Sequence, residues 1–263
     1  MKPVLRWLGL VAAAVLALQL YFVVRIAAMR LVDPQSSAFQ RSQALHQWRD
    51  SGSLHWRQQW VAYPQIADNL KRAVIAAEDD SFIYHDGVDW DALEKAWQKN
   101  AKAEAQAVKQ QGAQAAKATS APASKRNGAT QPQNKPLARA AKVVGGSTIT
   151  QQLAKNLFLS GERTLLRKGQ EFVLTMLLEA LLSKQRILEI YLNSVEWGEG
   201  VFGAEAAAQH YFRKPASKLS AYEAARLAVM LPRPKYFEKL PNSSYIAGRA
   251  NVIVNRLNNA ELP

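Results

Sequence analysis

From Trp7 to Val24 the chain carries no charged residue, and only Gln19 interrupts the apolar run. A stretch of this length spans a bilayer as a helix, because roughly 20 residues at about 1.5 Å rise cross the hydrocarbon core and every backbone group is then satisfied internally. Lys2 and Arg6 precede the run and Arg25 and Arg30 follow it, so flanking charge alone leaves the orientation undecided. The alternative is a cleaved signal peptide, with Ala27 and Ala28 as small residues near a cut. The apolar run exceeds the ~7–15 residues of a signal h-region, which favours an uncleaved anchor. The expected organisation is a stub and anchor over 1–30 and a domain over 31–263.

With 263 residues, 48% of them hydrophobic, the chain is large enough for a sizeable core. It has no cysteine, which removes disulfides, thiol nucleophiles and thiolate metal sites from consideration. Its net charge of +13 suggests an anionic partner, and the placement of that charge narrows the choice. The segment 101–142 has no aromatic residue, contains Pro122, Pro132 and Pro136, and holds eight Lys or Arg against the single Glu104. Seven of the thirteen net charges therefore sit in a low-complexity insertion that reads as disordered, or helical only at its start. A basic excess in such a tail, and not on a folded face, argues against nucleic acid as the partner.

The remainder reads as mainly α. Residues 168–193 place apolar side chains at helical spacing with a break near Ser183. Ser220 and Glu223 form a capping box ahead of an apolar helix that Pro232 stops. Leu54–Val61 is the one short candidate strand.

Three clusters carry chemistry. In GGSTITQQLAKN, residues 145–156, Thr148 and Gln151 have capping-box spacing. Thr148, Gln152 and Lys155 then share one helix face, and Ile149, Leu153 and Leu157 an apolar one. Gly145 and Gly146 allow close backbone approach, and the helix start suits an anion. The plainer reading is a capped surface helix with a solvated Lys155. In AAEDDSFIYHDGVDW, Glu78 and Asp79 end an apolar run, and Phe82 and His85 follow. These serve equally as helix-end acids, a core aromatic and a surface histidine, but a carboxylate leaving an apolar helix has the environment that raises its pKa toward a general base's range. In GERTLLRKGQE, Arg163, Arg167 and Lys168 crowd a helix start where the dipole opposes them, ahead of Glu171. The choice there lies between an anionic ligand and a solvated basic turn. Two acids, several cations and a Gly-rich helix start together suit displacement of a phosphate leaving group by a hydroxyl.

Five ordered stretches carry a resemblance: E-D-x-x-F-x-x-H-x-G over 78–87, GGSTITQQLAKN over 145–156, RKGQE over 167–171, KQRILEIYLNSVEWGEGVFGAEAAAQHYF over 184–212, and GRANVIVNRL over 248–257. Together they resemble the bacterial peptidoglycan glycosyltransferases, covering essentially everything from Trp60 onward except the insertion. With no S-x-x-K tetrad and little sequence after the fifth motif, the chain is similar to the monofunctional, membrane-anchored type.

The resemblance implies a lysozyme-like, two-lobed helical domain outside the bacterial cytoplasmic (inner) membrane, with the N-terminus in the cytoplasm. It implies lipid II as substrate, polymerised into β-1,4-linked glycan with inversion at the MurNAc anomeric carbon and release of undecaprenyl diphosphate. Glu78 would be the base for the acceptor hydroxyl. Glu171 would assist the donor diphosphate, either directly or, with Glu78, through a divalent cation such as Mg or Mn; no organic cofactor is expected. Lys155, Arg163, Arg167 and Lys168 would neutralise the phosphates. Asp79, Phe82, His85, Ser147, Thr148, Gln151, Gln152 and Asn156 match the family's cleft-shaping positions. The implied partners are lipid II, the growing lipid-linked chain, the membrane and cell-division or elongation proteins. The long insertion departs from the family, where the corresponding segment is short, and it puts acceptor handling and processivity in question. Two other readings share parts of this pattern: a lysozyme-like hydrolase or lytic transglycosylase, and a membrane-tethered binding protein without catalysis.

Overall fold

A computed structural model describes residues 2–119, 146–159 and 164–263. Arg163, Gly145 and most of the segment 101–142 lie outside or at the margin of these described residues.

The fold is mainly α, in keeping with a lysozyme-like helical domain. Helix α1 is Lys2–Ala28, α2 Ala38–Ser51, β1 Arg57–Gln58, α3 Asp68–Glu78, α4 Trp90–Thr119, α5 Ile149–Phe158, α6 Leu165–Leu181 and α7 Lys184–Ser194. Then come β2 Glu196–Gly198, β3 Val201–Phe202, α8 Ala204–Phe212, α9 Ala221–Met230, α10 Pro234–Phe237 and α11 Ser244–Val254. The chain forms two compact units, 1–88 with 147–263, and 89–146.

The smaller unit is built on the 30-residue α4, which continues as helix to Thr119. Ala, Gln, Lys and Glu are strong helix formers, so this composition sustains a helix well into the segment 101–142. Gly146 approaches the Leu93 backbone so closely that a Cβ would lie 3.3 Å from its Cα.

In the larger unit α1 is long and apolar enough to cross a membrane. Its first turns expose Leu5, Leu10 and Leu16, whereas Phe22 and Ile26 at its far end are buried. Phe22 meets Phe158 edge-on at 5.4 Å, and Gln19 donates to Gln170 at 3.0 Å, which seats the end of α1 on α5 and α6. Helix α1 thus passes directly into the helical core.

The expected break falls at Ser183, whose hydroxyl caps α7 through the Arg186 N–H. Ser220 and Glu223 form the expected capping box of α9. The Leu54–Val61 strand shrinks to Arg57–Gln58, because β3, its parallel partner, offers only Val201 and Phe202. Antiparallel β2 completes this small sheet with an irregularity between Glu196 and Gly198. The sheet holds the chain between α7 and α8 and so fixes the position of Glu196.

Candidate active site

Glu78 is the last residue of α3, whose Leu70, Val74 and Ile75 are buried in the core. The helix stops there because Asp79 leaves helical geometry, with φ −163° and ψ 72°. Glu78 is left half-buried at the rim of a cavity. Its Oε2 accepts from Gln152 Nε2 at 2.9 Å, and Gln152 Oε1 accepts from the Tyr191 hydroxyl at 2.9 Å. Burial raises the Glu78 pKa, Asp79 adds to the rise, and the Gln152 hydrogen bond and the Lys155 charge oppose it.

Asp79 faces the other way and is buried. Its Oδ1 lies 2.9 Å from His85 Nε2, and its Oδ2 accepts the Ile149 N–H at 2.9 Å, the first N–H of α5. His85 Nδ1 accepts from the Gly87 N–H at 3.1 Å, which leaves Nε2 as the proton-bearing nitrogen facing Asp79. Thr148 donates to Gly87 O at 2.6 Å while accepting from the Gln151 N–H, and Gln151 returns the capping-box bond to the Thr148 N–H. Gly87, at φ +88°, has no room for a side chain, since a Cβ would stand 2.7 Å from Thr175 Cγ2. One carboxylate, one imidazole and one hydroxyl therefore lock the turn after α3 to the first turn of α5. That lock sets where Glu78 sits relative to Gln152 and Lys155.

Two adjoining cavities open on this framework. The first, of about 460 Å³, is lined by Ser147, Gln151, Gln152, Lys155, Asn156, Arg167, Lys168 and Glu171, with Phe39, Ser42, Gln43 and His46 of α2 opposite. The second, of about 360 Å³, holds Glu78 and Glu196 against a wall that includes Val195, Leu231, Pro232 and Pro234. Phe39, Ser147, Gln152, Lys155 and Asn156 border both.

Charge separates them. Glu171 is buried and paired to Arg167 Nη1 at 3.1 Å and to Lys168 Nζ. Among the described residues the first cavity presents three cations, Lys155, Arg167 and Lys168, against this one carboxylate. Lys155 opens to solvent, yet the surrounding wall withholds enough water to depress its pKa; Arg167 and Lys168 add to the fall, and Glu171 and Glu78 oppose it. Such a cavity suits a multiply charged anion.

A divalent cation bridging Glu78 and Glu171 does not fit this donor set. The Glu171 oxygens are engaged by Arg167 and Lys168, and Glu78 Oε2 by Gln152. Among the described residues no three His, Asp or Glu side chains converge on a common point.

Of the residues singled out in the sequence, Glu78, Ser147, Gln151, Gln152, Lys155, Asn156, Arg167, Lys168 and Glu171 line the cavities. Asp79, Phe82, His85 and Thr148 stand behind the wall as scaffold. Phe82 is fully buried with Lys184 Nζ 4.6 Å from its ring centre, and so belongs to the core and not to the cleft surface. Sequence reasoning passed over Tyr191, Glu196 and the α2 wall. Tyr191 and Glu196 lie inside the fourth motif, and that membership was the one signal the sequence offered for them. Nothing in α2 distinguished a face.

The transglycosylase family model matches residues 44–125 and 127–258. A biosynthetic peptidoglycan transglycosylase of Burkholderia thailandensis is 50% identical over 100% of this chain and 90% of its own length. Proteins of the same name from Burkholderia pseudomallei and Burkholderia multivorans are 49% and 46% identical, over 100% and 98% of this chain and 90% and 92% of theirs. The family match takes in Glu78, the α5 helix start, the cationic turn of α6 and the fourth motif, each of which contributes to the cavities, and the chain belongs to the transglycosylase family.

Proposed function

We propose that the protein polymerises lipid II into glycan strands in bacterial cell wall synthesis, as the names of its relatives suggest. The observation that carries this reading is the border shared by the two cavities: a carboxylate of raised pKa and a cationic hollow meet at Lys155 and Gln152. Glu78 takes the proton from the acceptor GlcNAc 4-hydroxyl as that oxygen attacks C1 of the donor MurNAc. The C1–O bond to the diphosphate breaks, its electron pair leaves with the diphosphate, and attack from the opposite side inverts the anomeric centre. Lys155, Arg167 and Lys168 stabilise the departing charge, and Glu171 holds Arg167 and Lys168 in place. A hydrolase acting on neutral glycan has no use for that hollow. Helix α1 anchors the domain in the inner membrane with the N-terminus in the cytoplasm, and the active site meets its lipid substrate outside.

Lys155→Ala removes a cation bordering both cavities without touching the ion pairs of Glu171. At subsaturating lipid II its polymerisation rate should fall about tenfold or more, the effect of losing a charge-assisted contact worth ~1.5–3 kcal/mol. A rate equal to that of the unaltered protein would separate this cation from the donor diphosphate.

A further inference from the structure

Glu196 is a second carboxylate in the Glu78 cavity, and the reaction described above does not use it. Its side chain is 6% exposed, and its Oε1 is enclosed without a hydrogen-bond partner. Lys235 Nζ pairs with that oxygen at 3.5 Å and also donates to Gln43 Oε1 at 2.6 Å. A carboxylate this enclosed, with a single lysine it shares with Gln43 beside it, is costly to keep ionised, and its place on the wall of the Glu78 cavity marks it for a ligand-facing role. Burial raises its pKa to about 7, with Lys235 opposing and Glu199 and Glu238 adding to the rise.

The cavity around it says what the ligand is. Two carboxylates against the single lining cation Lys155 make a poor diphosphate site, whereas the neighbouring hollow concentrates the positive charge. Val195, Leu231, Pro232 and Pro234 form an apolar wall across from polar groups, the arrangement that takes the C–H face of a pyranose while carboxylates accept from its hydroxyl or amide N–H groups. We propose that Glu196 is a substrate-binding carboxylate that holds the acceptor saccharide beside Glu78, an assignment that rests on the polymerase reading above. The backbone fixes it there: it opens β2, the Gly203 N–H donates to Val195 O at 3.0 Å, and its partner across the sheet is Phe202.

The test compares the full-length protein with Glu196→Ala and Glu196→Gln on labelled lipid II over a range of concentrations, alongside inhibition by inorganic diphosphate and melting temperature. Glu196→Ala is expected to raise KM about tenfold with kcat within about twofold, since the interaction serves binding and not the chemical step. Glu196→Gln, which keeps an acceptor oxygen and the side-chain volume, should recover part of that loss. Inhibition by diphosphate should be unchanged in both, because it reports the cationic hollow. An unchanged KM in either folded variant with normal activity of the unaltered protein, or a parallel loss of diphosphate inhibition, overturns the assignment of Glu196 alone. If Glu196→Ala fails to fold, the Glu196→Gln KM decides. Absence of polymer from the unaltered protein overturns the polymerase reading and this assignment with it.

Discussion

Glu78→Gln lowers the rate of glycan polymerisation by about 10²–10⁴-fold, the range contributed by a positioned general base, while the protein stays folded. The amide keeps an acceptor for Gln152 Nε2, so the chain from Tyr191 through Gln152 survives. It also removes a carboxylate that burial makes costly to ionise. The sign of the pH dependence follows. A base works only when ionised, so activity should fall as the medium is acidified through the raised pKa of Glu78, and the remaining activity of the variant should lose that limb. For stability the sign is opposite: a carboxylate whose folded pKa is raised favours the folded state when protonated and gives up that contribution as pH rises through the folded value. The melting temperature of Glu78→Gln near neutral pH should accordingly be equal to or above that of the unaltered protein. Steady-state polymerisation over a pH series, with calorimetry on the same samples, checks both statements; a variant within tenfold of normal turnover would take the base role from Glu78.

The second large effect belongs to the adjacent acid and acts on stability. Asp79→Ala strands two buried donors at once, the His85 Nε2–H and the Ile149 N–H at the start of α5. Each uncompensated donor costs about 1–3 kcal/mol, and the helix start also loses a favourable negative charge. The sum is on the order of 4 kcal/mol, which in a domain of this size lowers the melting temperature by roughly 10 °C. Asp79→Asn, which still accepts one of the two bonds, should fall in between. Circular dichroism melts of the three proteins read this directly, and an unmoved transition in Asp79→Ala would show that the lock between the turn and α5 carries no weight.

These adjacent acids show how far the sequence reaches. Where a signal is local, it is legible: the Thr148–Gln151 box, the Ser183 break and the Ser220–Glu223 box depend on side chains reaching backbone a few residues away, and the structure has them all. The α5 faces were legible for the same reason, with Ile149, Leu153 and Leu157 buried and Lys155 open. What the sequence could not separate was a residue that lines a cleft from one that braces it. Glu78 and Asp79 are neighbours of identical chemistry, and only the end of α3 turns one outward and the other inward. Phe82 and His85 went to the cleft side for the same reason.

Long-range partners were illegible. Gln40 reaches Ser194 O at 3.1 Å across the chain and seats α2 over the cationic cavity, yet α2 has no continuous apolar stripe to announce that contact. Tyr191 finds Gln152, and Glu196 finds Lys235, only through the folded arrangement. The compositional reading of 101–142 rests on its lack of aromatic groups, its prolines and its charge, and makes it disordered or helical only at its start. In the described part, up to Thr119, local propensity prevails and α4 continues.

The most direct test is incubation of the detergent-solubilised protein with labelled lipid II, followed by muramidase digestion of whatever forms. The account predicts a high-molecular-weight labelled product that the muramidase reduces to disaccharide-peptide units, with undecaprenyl diphosphate released as polymer accumulates. Lipid II left intact, or fragments released from preformed peptidoglycan in place of new polymer, would contradict it.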